Sequence, residues 1–326
     1  MTATATTFPR QVAGTWTLTS SMIHGGDVTL GTTRLFRSKG FIVDGRKVRI
    51  PIVSGNALRG VWRRQCAFAF LDAYLDAGGE PIELSAFYYL TSGGALKKGS
   101  TAGALDLAGE RAVRDLIPHA AVFGGAGLGR IQAGKLWVDE AVPICRETVP
   151  LLRMLHPAVE DAATANLSYR ELTEIHGYSR QDDGKNEHLK RYLSARAGAE
   201  LTGRIERGET EDVAESAGTP QQMRYEQQEL VAGTVLFHRW GFEYAPTDHE
   251  IAGLGAGLLR WAERPRIGGR SAVGHGGLLP RYEGITTETR LLSDGSSALG
   301  ALADRTPEEA LREHVPAELT IVGANE

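Results

Sequence analysis

The chain has 326 residues, a formal net charge of −4 and 42% hydrophobic residues, values that are ordinary for a soluble globular protein. Its two cysteines, Cys66 and Cys145, exclude a disulfide framework and a zinc site built from cysteines. No apolar stretch approaches the roughly 20 residues that span a bilayer, and the amino-terminal residues resemble no signal peptide. We therefore expect a cytoplasmic protein with no membrane partner, and the negative net charge by itself argues against nucleic acid.

The distribution of charge reverses that last expectation. Residues 34–64 hold nine basic residues and one acidic residue, and residues 260–281 hold five arginines and one glutamate. Residues 282–326, in contrast, hold nine acidic residues and three arginines. Because the local field attracts a polyanion whatever the net charge is, the two basic segments predict a nucleic-acid-binding surface.

Hydrophobic patterning predicts six regular elements. β-branched and aromatic residues predict a strand over 15–23. Ser54 is a natural N-cap, and apolar residues at helical spacing predict a helix over 55–77 that ends at a pair of glycines. The other predicted elements are a strand over 135–144, a strand or hairpin arm over 231–244, a helix over 248–264 and a closing strand over 278–283.

The order of these elements, β-α-β-β-α-β, predicts the α+β class, with one antiparallel sheet and its helices on one face. Two insertions interrupt this order. Residues 80–120 mix helix-like and glycine-rich pieces, whereas residues 145–230 are polar and highly charged. We expect a solvated loop over 206–216 and a weakly structured acidic tail at the end of the chain.

Three catalytic or cofactor motifs are incomplete in this chain. Residues 129–136 match the spacing of a phosphate-binding P-loop up to the lysine, but Leu136 stands where a serine or threonine would hold Mg²⁺. The glycines at 124–129 lack the G-x-G-x-x-G spacing, and His249-Glu250 is not part of an H-E-x-x-H motif. We therefore predict no catalytic residue, no metal and no cofactor.

The start of the first helix is the first candidate site. Ser54 and Asn56 lie where free backbone N–H groups and the helix macrodipole favour an anion. Arg59 and Arg63 stand four residues apart on one face of the helix, with Arg64 adjacent. Together with the other basic residues nearby, they predict binding of a phosphate backbone. The alternative is a capped amphipathic helix whose arginines are solvated.

The glycine-rich stretch 264–277 is the second candidate site. Glycines let a backbone approach a ligand closely and adopt positive φ angles. Arg270 and His275 are the side chains that such a loop would place against the ligand. A plain turn between a helix and a strand is the alternative.

Tyrosines and arginines are interleaved in and around the second insertion. This pattern suits stacking on the bases of single-stranded RNA, and it suits the packing of a small subdomain equally well. The residues are Tyr169, Arg170, Tyr178, Arg180, Arg191, Tyr192, Arg224 and Tyr225.

Three segments resemble motifs of the RAMP superfamily, the repeat-associated proteins of CRISPR effector complexes. IPIVSGNALRGVWRR (50–64) resembles its I-P-x-S-S-x-L-(K/R)-G-x-x-R segment, and residues 122–144 resemble its F-G-…-G-x-L-x-(V/I)-x-D-A strand. Residues 233–244, the following helix and RPRIGGRSAVGHG (264–276) resemble its terminal glycine-rich unit. The resemblance covers roughly 15–283 and is closest to the backbone subunits of type III and type IV class 1 complexes, with type IV the better fit.

The resemblance implies a single RAMP domain over 1–326, with a ferredoxin-like (RRM-like) antiparallel palm whose helices lie on one face. Large insertions would form a thumb and fingers. The implied boundaries are 14–145 and 231–283 for the palm with 80–120 inserted, 146–230 for the thumb-like insertion and 284–326 for an acidic C-terminal extension. The implied partners are single-stranded, guide-like RNA, copies of the chain in a helical filament, and other subunits of an antiviral effector ribonucleoprotein.

The basic segments, the aromatic pattern and the resemblance together predict one set of RNA-binding residues. The set comprises Arg34, Arg37, Ser54, Asn56, Arg59, Arg63, Arg64, Arg180, Arg224, Tyr225, Gly268, Gly269, Arg270 and His275.

One departure from the superfamily pattern concerns cleavage. The resemblance implies that type III backbone subunits cut target RNA with an aspartate in the loop after the first strand. Residues 28–43 contain no carboxylate, and Thr33 or Arg34 takes the approximate position. The resemblance with this departure predicts a subunit that binds RNA without cleaving it.

Two other functions stay open. His24, a turn histidine near the predicted phosphates, is a candidate general base for a RAMP endoribonuclease that trims guide precursors. A single histidine without a partner is more often only a turn residue. The third possibility is a structural subunit that does not depend on RNA.

Overall fold

The computed structural model describes residues 11–31, 33–94, 107–127, 130–179, 194–197, 199 and 224–282. The predicted RNA contact at Arg180, the expected loop at 206–216 and the acidic extension at 284–326 lie outside these residues. For Arg224 and Tyr225 only the backbone is described.

The strands are β1 (Gln11–Leu18), β2 (Gly25–Leu30), β3 (Thr33–Phe36), β4 (Ser38–Val43), β5 (Arg46–Pro51), β6 (Gly125–Gly127), β7 (Arg130–Gln132), β8 (Leu136–Val138), β9 (Val142–Pro143), β10 (Thr173–Ser179), β11 (Arg224–Leu230), β12 (Val235–Phe242) and β13 (Leu278–Tyr282). The helices are α1 (Gly55–Asp76), α2 (Leu84–Ser92), α3 (Leu107–Leu116), α4 (Pro118–Phe123), α5 (Val149–Leu152) and α6 (Asp248–Glu263). None of these helices combines the length and the apolar character needed to cross a bilayer.

The palm sheet has five antiparallel strands in the order β13-β1-β12-β8, and β9 also pairs with β12. In chain order its parts are β1, α1, β8 with β9, β12, α6 and β13. This is the split β-α-β arrangement, with the first strand between the third and the last. The predicted α+β class and ferredoxin-like sheet are therefore confirmed.

Both long helices pack on the same face of the palm sheet. Trp62 of α1 lies between Trp240 of β12 and Trp261 of α6, with ring centroids 5.6 and 5.8 Å away. The α1–α6 contact is close because Gly257 has no side chain, and an added Cβ there would overlap Cys66. These residues belong to one large buried cluster, which fixes α1 firmly on the sheet.

The opposite face of the palm sheet carries a second apolar cluster. Because side chains alternate along a strand, Ala13 and Phe237 point away from the tryptophans. They pack with Ile52, Val142 and Leu152. Part of this face is therefore filled by the protein's own side chains rather than open to a ligand.

A second sheet lies outside the predicted pattern. Its order is β10-β11-β3-β2, and β11 pairs with β3 in parallel, with Glu226 opposite Thr33. It joins residues that follow the first palm strand to two strands of the insertion predicted over 146–230. The sequence predicts a turn over 24–27 and no element over 28–50. The turn prediction is wrong from Gly25 onward, because Gly25–Leu30 form β2, and β3, β4 and β5 follow it.

The boundaries of the predicted elements differ in three places. The strand expected over 15–23 is β1, which ends at Leu18 and is followed only by isolated bridges at Met22 and Ile23. The strand expected over 135–144 is interrupted between β8 and β9, and the strand expected over 231–244 begins at Val235. The two long helices end within one residue of the predicted positions.

Candidate nucleic-acid interface

The start of α1 is held in place by the palm. Ser54 caps the helix, and its Oγ accepts a hydrogen bond from the N–H of Ala57 over 3.3 Å. Just before it, Val53 and Ala141 exchange two backbone hydrogen bonds of 2.9 Å, which tie the helix start to the β8–β9 connection. The backbone N–H of Ser54 donates to Nε2 of His24 over 3.1 Å. The predicted cap is therefore confirmed, and it has a histidine partner that the spacing did not indicate.

A cleft runs along the first half of α1, and we call it the arginine cleft. Its walls come from α1, from the end of α2 and from the hairpin β6–β7, and they include Asn56, Arg59, Arg63, Arg64, Gly93, Gly125 and Gly134. Asn56 and Arg64 are exposed, Arg59 is half-buried and Arg63 is 8% exposed. Four of the predicted RNA-binding residues thus meet in one place.

The guanidinium groups of Arg59 and Arg63 bind backbone carbonyls. Arg59 donates to the carbonyl of Phe123, and Arg63 donates to the carbonyl of Gly124 and, over 3.4 Å, to that of Tyr89. Burial and the neighbouring charge of Arg59 lower the pKa of Arg63 to about 10, and burial lowers the pKa of Arg59. Within the described ranges, neither guanidinium forms an ion pair with a carboxylate.

The four cleft residues therefore differ in what they can do. Arg63 lies inside the wall, where it fixes the turn between α4 and β6. Arg64 and Asn56 are exposed to solvent, and the exposure of Arg59 is intermediate between theirs and that of Arg63. Among the residues that the structure describes, no carboxylate neutralises the positive charge of the cleft. An anion bound there would therefore interact favourably with Arg59 and Arg63.

The glycine-rich loop packs on the connection between β1 and β2. Gly269 donates its N–H to the carbonyl of Ile23 over 2.7 Å. Gly268 has a φ of 93°, and an added Cβ would overlap the same carbonyl oxygen. Arg270 has a φ of 57°, which is uncommon for a residue other than glycine. The loop is therefore a defined structure, and its glycines serve a close backbone contact within the protein.

The side chains of this loop bind the second sheet. The guanidinium of Arg270 lies 3.8 Å from the ring centroid of Tyr178, a cation–π contact. The Tyr178 hydroxyl donates to Glu229 over 3.0 Å and lies 3.1 Å from Nε2 of His275. Burial and the hydrogen bond to Glu229 raise the pKa of Tyr178 to about 12. Arg270 and His275 thus join the loop to β10 and β11.

The remaining predicted residues lie on or beside the second sheet. Arg34 is exposed in β3, opposite Gln227 of β11, which in turn lies opposite His176 of β10, so the three share one face of that sheet. Arg224 and Tyr225 begin β11. Arg37 follows β3 and lines a different pocket. These residues are not part of the arginine cleft.

The connection of Ile23 and His24 touches both predicted sites. Ile23 binds Gly269 of the glycine-rich loop, and His24 binds Ser54 at the start of α1. Burial, and secondarily the charge of Arg37, lowers the pKa of His24 to about 4, so this ring is neutral at physiological pH. The structure thus brings Ser54 and the loop glycines together through a two-residue link.

Three residues of the interface were not predicted as site residues. Phe123 and Gly124 lie in the motif-like segment 122–144, but they hold the two arginines through backbone carbonyls, which every residue has, so no side-chain pattern marks them for this contact. Glu229 is one acidic residue of a highly charged segment, and only the fold places it, 3% exposed, beside Tyr178.

Comparison with solved structures finds chains that are similar to this one. No protein-family model matches the chain, and no curated protein matches it. A chain of a structure titled "Type IV-B CRISPR Complex" is similar, with 24% sequence identity and a TM-score of 0.48. The match covers 83% of this chain and 90% of that chain.

Proposed function

We propose that the chain is a non-catalytic RNA-binding subunit of a class 1 CRISPR effector ribonucleoprotein, of the RAMP backbone type. Copies of it bind along guide-like single-stranded RNA and contact other effector subunits. The observation that carries the proposal is the arginine cleft. Its positive charge is not neutralised by any carboxylate among the residues that the structure describes. The RAMP-like motifs support the particular class of complex.

Two RAMP-like segments that are distant in the chain build this cleft together. Residues 50–64 supply Arg59 and Arg63, and residues 122–144 supply the carbonyls of Phe123 and Gly124 that bind them. A phosphate backbone suits such a cleft, because guanidinium groups bind phosphate oxygens and glycine walls let a strand approach closely. Binding of this kind is independent of base sequence.

The surroundings of His24 support binding without cleavage. Its Nε2 accepts the hydrogen bond from Ser54, so that lone pair is already occupied. A general base near neutral pH needs a pKa near the working pH, whereas the pKa of His24 is lowered to about 4. No observation favours the endoribonuclease over the binding subunit.

The first experiment measures RNA that co-purifies with the full-length chain after nuclease treatment and a salt wash. We expect protected RNA in the wild type, at least tenfold less in Arg59→Glu/Arg64→Glu, and an unchanged amount in Arg153→Glu. Arg153 is a matched control because it is an exposed arginine of the α5 end, beside the second apolar cluster.

Arg59 also binds a carbonyl, so Arg64→Glu alone separates RNA contact from folding. This variant should lose RNA while its thermal unfolding stays that of the wild type. Wild-type protein without protected RNA, or charge-reversal variants that retain it fully, would show that the cleft does not bind RNA.

A second experiment tests the absence of cleavage. A complementary strand bound to the protein–RNA complex should stay intact in the presence of Mg²⁺. Cuts at regular intervals in that strand would contradict the non-catalytic part of the proposal.

A further inference from the structure

A second pocket opens between β3, the hairpin β4–β5 and the turn that precedes β10. We call it the Tyr169 pocket, after the tyrosine in its wall, and its other lining residues include Phe36, Arg37, Ser38, Arg49 and Gln228. Two of its residues are arginines, and none of the described residues that line it is Asp or Glu. Arg49 therefore brings positive charge to the pocket.

The position of Arg49 is set by the hairpin. Its Nε donates to Oγ of Ser38 over 3.1 Å, and its Nη2 donates to the carbonyl of Ser38 over 3.0 Å. In the described part of the chain these bonds leave both N–H groups of Nη1 and one of Nη2 as donors for a ligand. A guanidinium held in this way loses little side-chain entropy when it binds a phosphate.

The wall around Tyr169 is aromatic and apolar. The ring of Tyr169 is half-buried, and its backbone N–H donates to Glu147 over 3.0 Å, which fixes the turn. Leu35 and Pro51 add apolar surface. Aromatic and apolar walls of this kind suit a nucleobase, because every base has a face that stacks.

A polar group lies in the same wall. Oε1 of Gln228 accepts a hydrogen bond from the backbone N–H of Phe36 over 3.1 Å. That bond orients the amide and leaves its NH₂ group as a donor for a base or sugar oxygen. The pocket thus combines a surface for stacking, an oriented amide and the guanidinium group of Arg49.

We propose that the Tyr169 pocket binds a single nucleotide unit, with the base against Tyr169 and its phosphate at Arg49. The site is separate from the arginine cleft. This inference rests on the proposed function in one respect. RNA bound by the chain is one source of the nucleotide, and a free mononucleotide is the other. An acidic peptide would use Arg49 but not the aromatic wall or the amide, so the nucleotide is the better fit.

The test is calorimetric titration of the full-length chain after bound RNA has been stripped by ion-exchange chromatography, at a salt concentration well above that of the wash that leaves protected RNA. The ligands are AMP, GMP, CMP and UMP, with adenosine and inorganic phosphate as partial ligands. We expect at least one nucleotide to bind tenfold more tightly than adenosine and than phosphate. Arg49→Gln should weaken it at least fivefold, and Arg46→Gln should not, because Arg46 is an exposed arginine of the same hairpin that does not line the pocket.

A second variant protects the test against an effect of Arg49 on the hairpin. Tyr169→Leu keeps an apolar side chain and removes the ring, so nucleotide affinity should fall toward that of phosphate alone. Phosphate that binds as tightly as any nucleotide would overturn the proposal. Displacement of the nucleotide by an equal concentration of an acidic peptide, ERGETEDVAES (residues 206–216), would also overturn the proposal.

Crosslinking of 4-thiouridine-labelled RNA separates the two sources of the nucleotide. A crosslink in the peptide that contains Tyr169 assigns the site to bound RNA. RNA retention with neither mononucleotide binding nor this crosslink would overturn the pocket and leave the proposed function standing. Binding of mononucleotides that depends on Arg49, in a chain that retains no RNA, would support the pocket and overturn the proposed function.

Discussion

The Nε2 atom of His24 accepts a hydrogen bond from the backbone N–H of Ser54, with 3.1 Å between the two nitrogen atoms. This bond joins the β1–β2 connection to Ser54, the N-cap of α1. The ring also contacts Phe36 edge-on, with 5.9 Å between centroids. His24 therefore has a structural role that accounts for a histidine at this position without catalysis.

Replacing His24 tests that role. His24→Ala leaves the N–H of Ser54 without its acceptor, so we expect the free energy of unfolding to fall by about 1–3 kcal/mol. His24→Gln, which can supply an acceptor oxygen, should recover part of this loss. Urea unfolding at pH 7.5 measures both. Wild-type cleavage of a guide precursor that His24→Ala abolishes would instead support the endoribonuclease.

Neighbouring arginines of α1 should separate stability from RNA binding. Arg63→Met leaves the carbonyls of Gly124 and Tyr89 without a donor inside the wall, so we expect a loss of about 1–3 kcal/mol of unfolding free energy. Arg64→Met removes an exposed charge and should change stability by no more than about 0.5 kcal/mol.

The RNA affinity of the two variants gives the second readout. Arg64→Met should bind RNA more weakly, with a salt dependence that falls by about 0.7 in log–log slope for each lost phosphate contact. Thermal unfolding and fluorescence anisotropy at several salt concentrations measure the two effects. Equal stability of Arg63→Met and the wild type would show that the carbonyl bonds of Arg63 do not form.

Two buried histidines predict that stability falls in acid. Burial, together with the charge of Arg63, lowers the pKa of His119 to about 3, and burial lowers that of His238 to about 3 as well. The unfolded chain takes up these protons near pH 6.5, whereas the folded chain does not until far lower pH. Stability should therefore fall from about pH 6.5 downward, by up to about 1.4 kcal/mol per pH unit for each histidine.

His119→Phe isolates one of these two contributions. In the described structure both ring nitrogens of His119 lack a hydrogen-bond partner, and its ring lies 5.4 Å from that of Phe70, so phenylalanine suits the site. We expect a smaller loss of stability between pH 7 and pH 5 than in the wild type. His176→Gln is the control because His176 is exposed. Unchanged pH dependence in His119→Phe would contradict the prediction.

Two glycines on the long helices should respond to alanine in opposite ways. Gly257→Ala places a Cβ against Cys66 of α1, where two helices are in contact, and should destabilise the chain by about 1–3 kcal/mol. Gly60→Ala meets no atom within 4 Å and should stabilise α1 by up to about 1 kcal/mol. Thermal unfolding of the two variants tests this prediction. Similar effects of Gly257→Ala and Gly60→Ala on stability would contradict the close contact between α1 and α6.

Local sequence signals predicted the palm well. Ser54 caps α1, Thr247 and Glu250 form a capping box at α6, and both helices end near the predicted residues. These signals act within a few residues, so they can be identified without the tertiary structure. The β4–β5 hairpin also has a local signal, since Asp44-Gly45 is a dipeptide typical of two-residue hairpin turns. Both residues have positive φ in the turn of this hairpin, for which no strands were predicted.

Local composition did not reveal the second sheet. Its parallel contact joins β3 to β11, with Thr33 opposite Glu226 at a separation of 193 residues, and Thr33 donates to Glu226 over 2.8 Å. Polar residues so far apart in the chain pair because the fold places their strands side by side. Patterning along a short window cannot report that pairing.

The sequence by itself determined the α+β class, the α1 cap and the concentration of positive charge around α1 and the glycine-rich loop. The tertiary structure decided which of those charges face a ligand. Arg63 and Arg64 are adjacent in the chain, yet one is buried against the carbonyls of Tyr89 and Gly124 and the other is exposed. The reason is physical, since a charge pattern sets the field near a helix, whereas burial and hydrogen bonding depend on what the fold packs against each side chain.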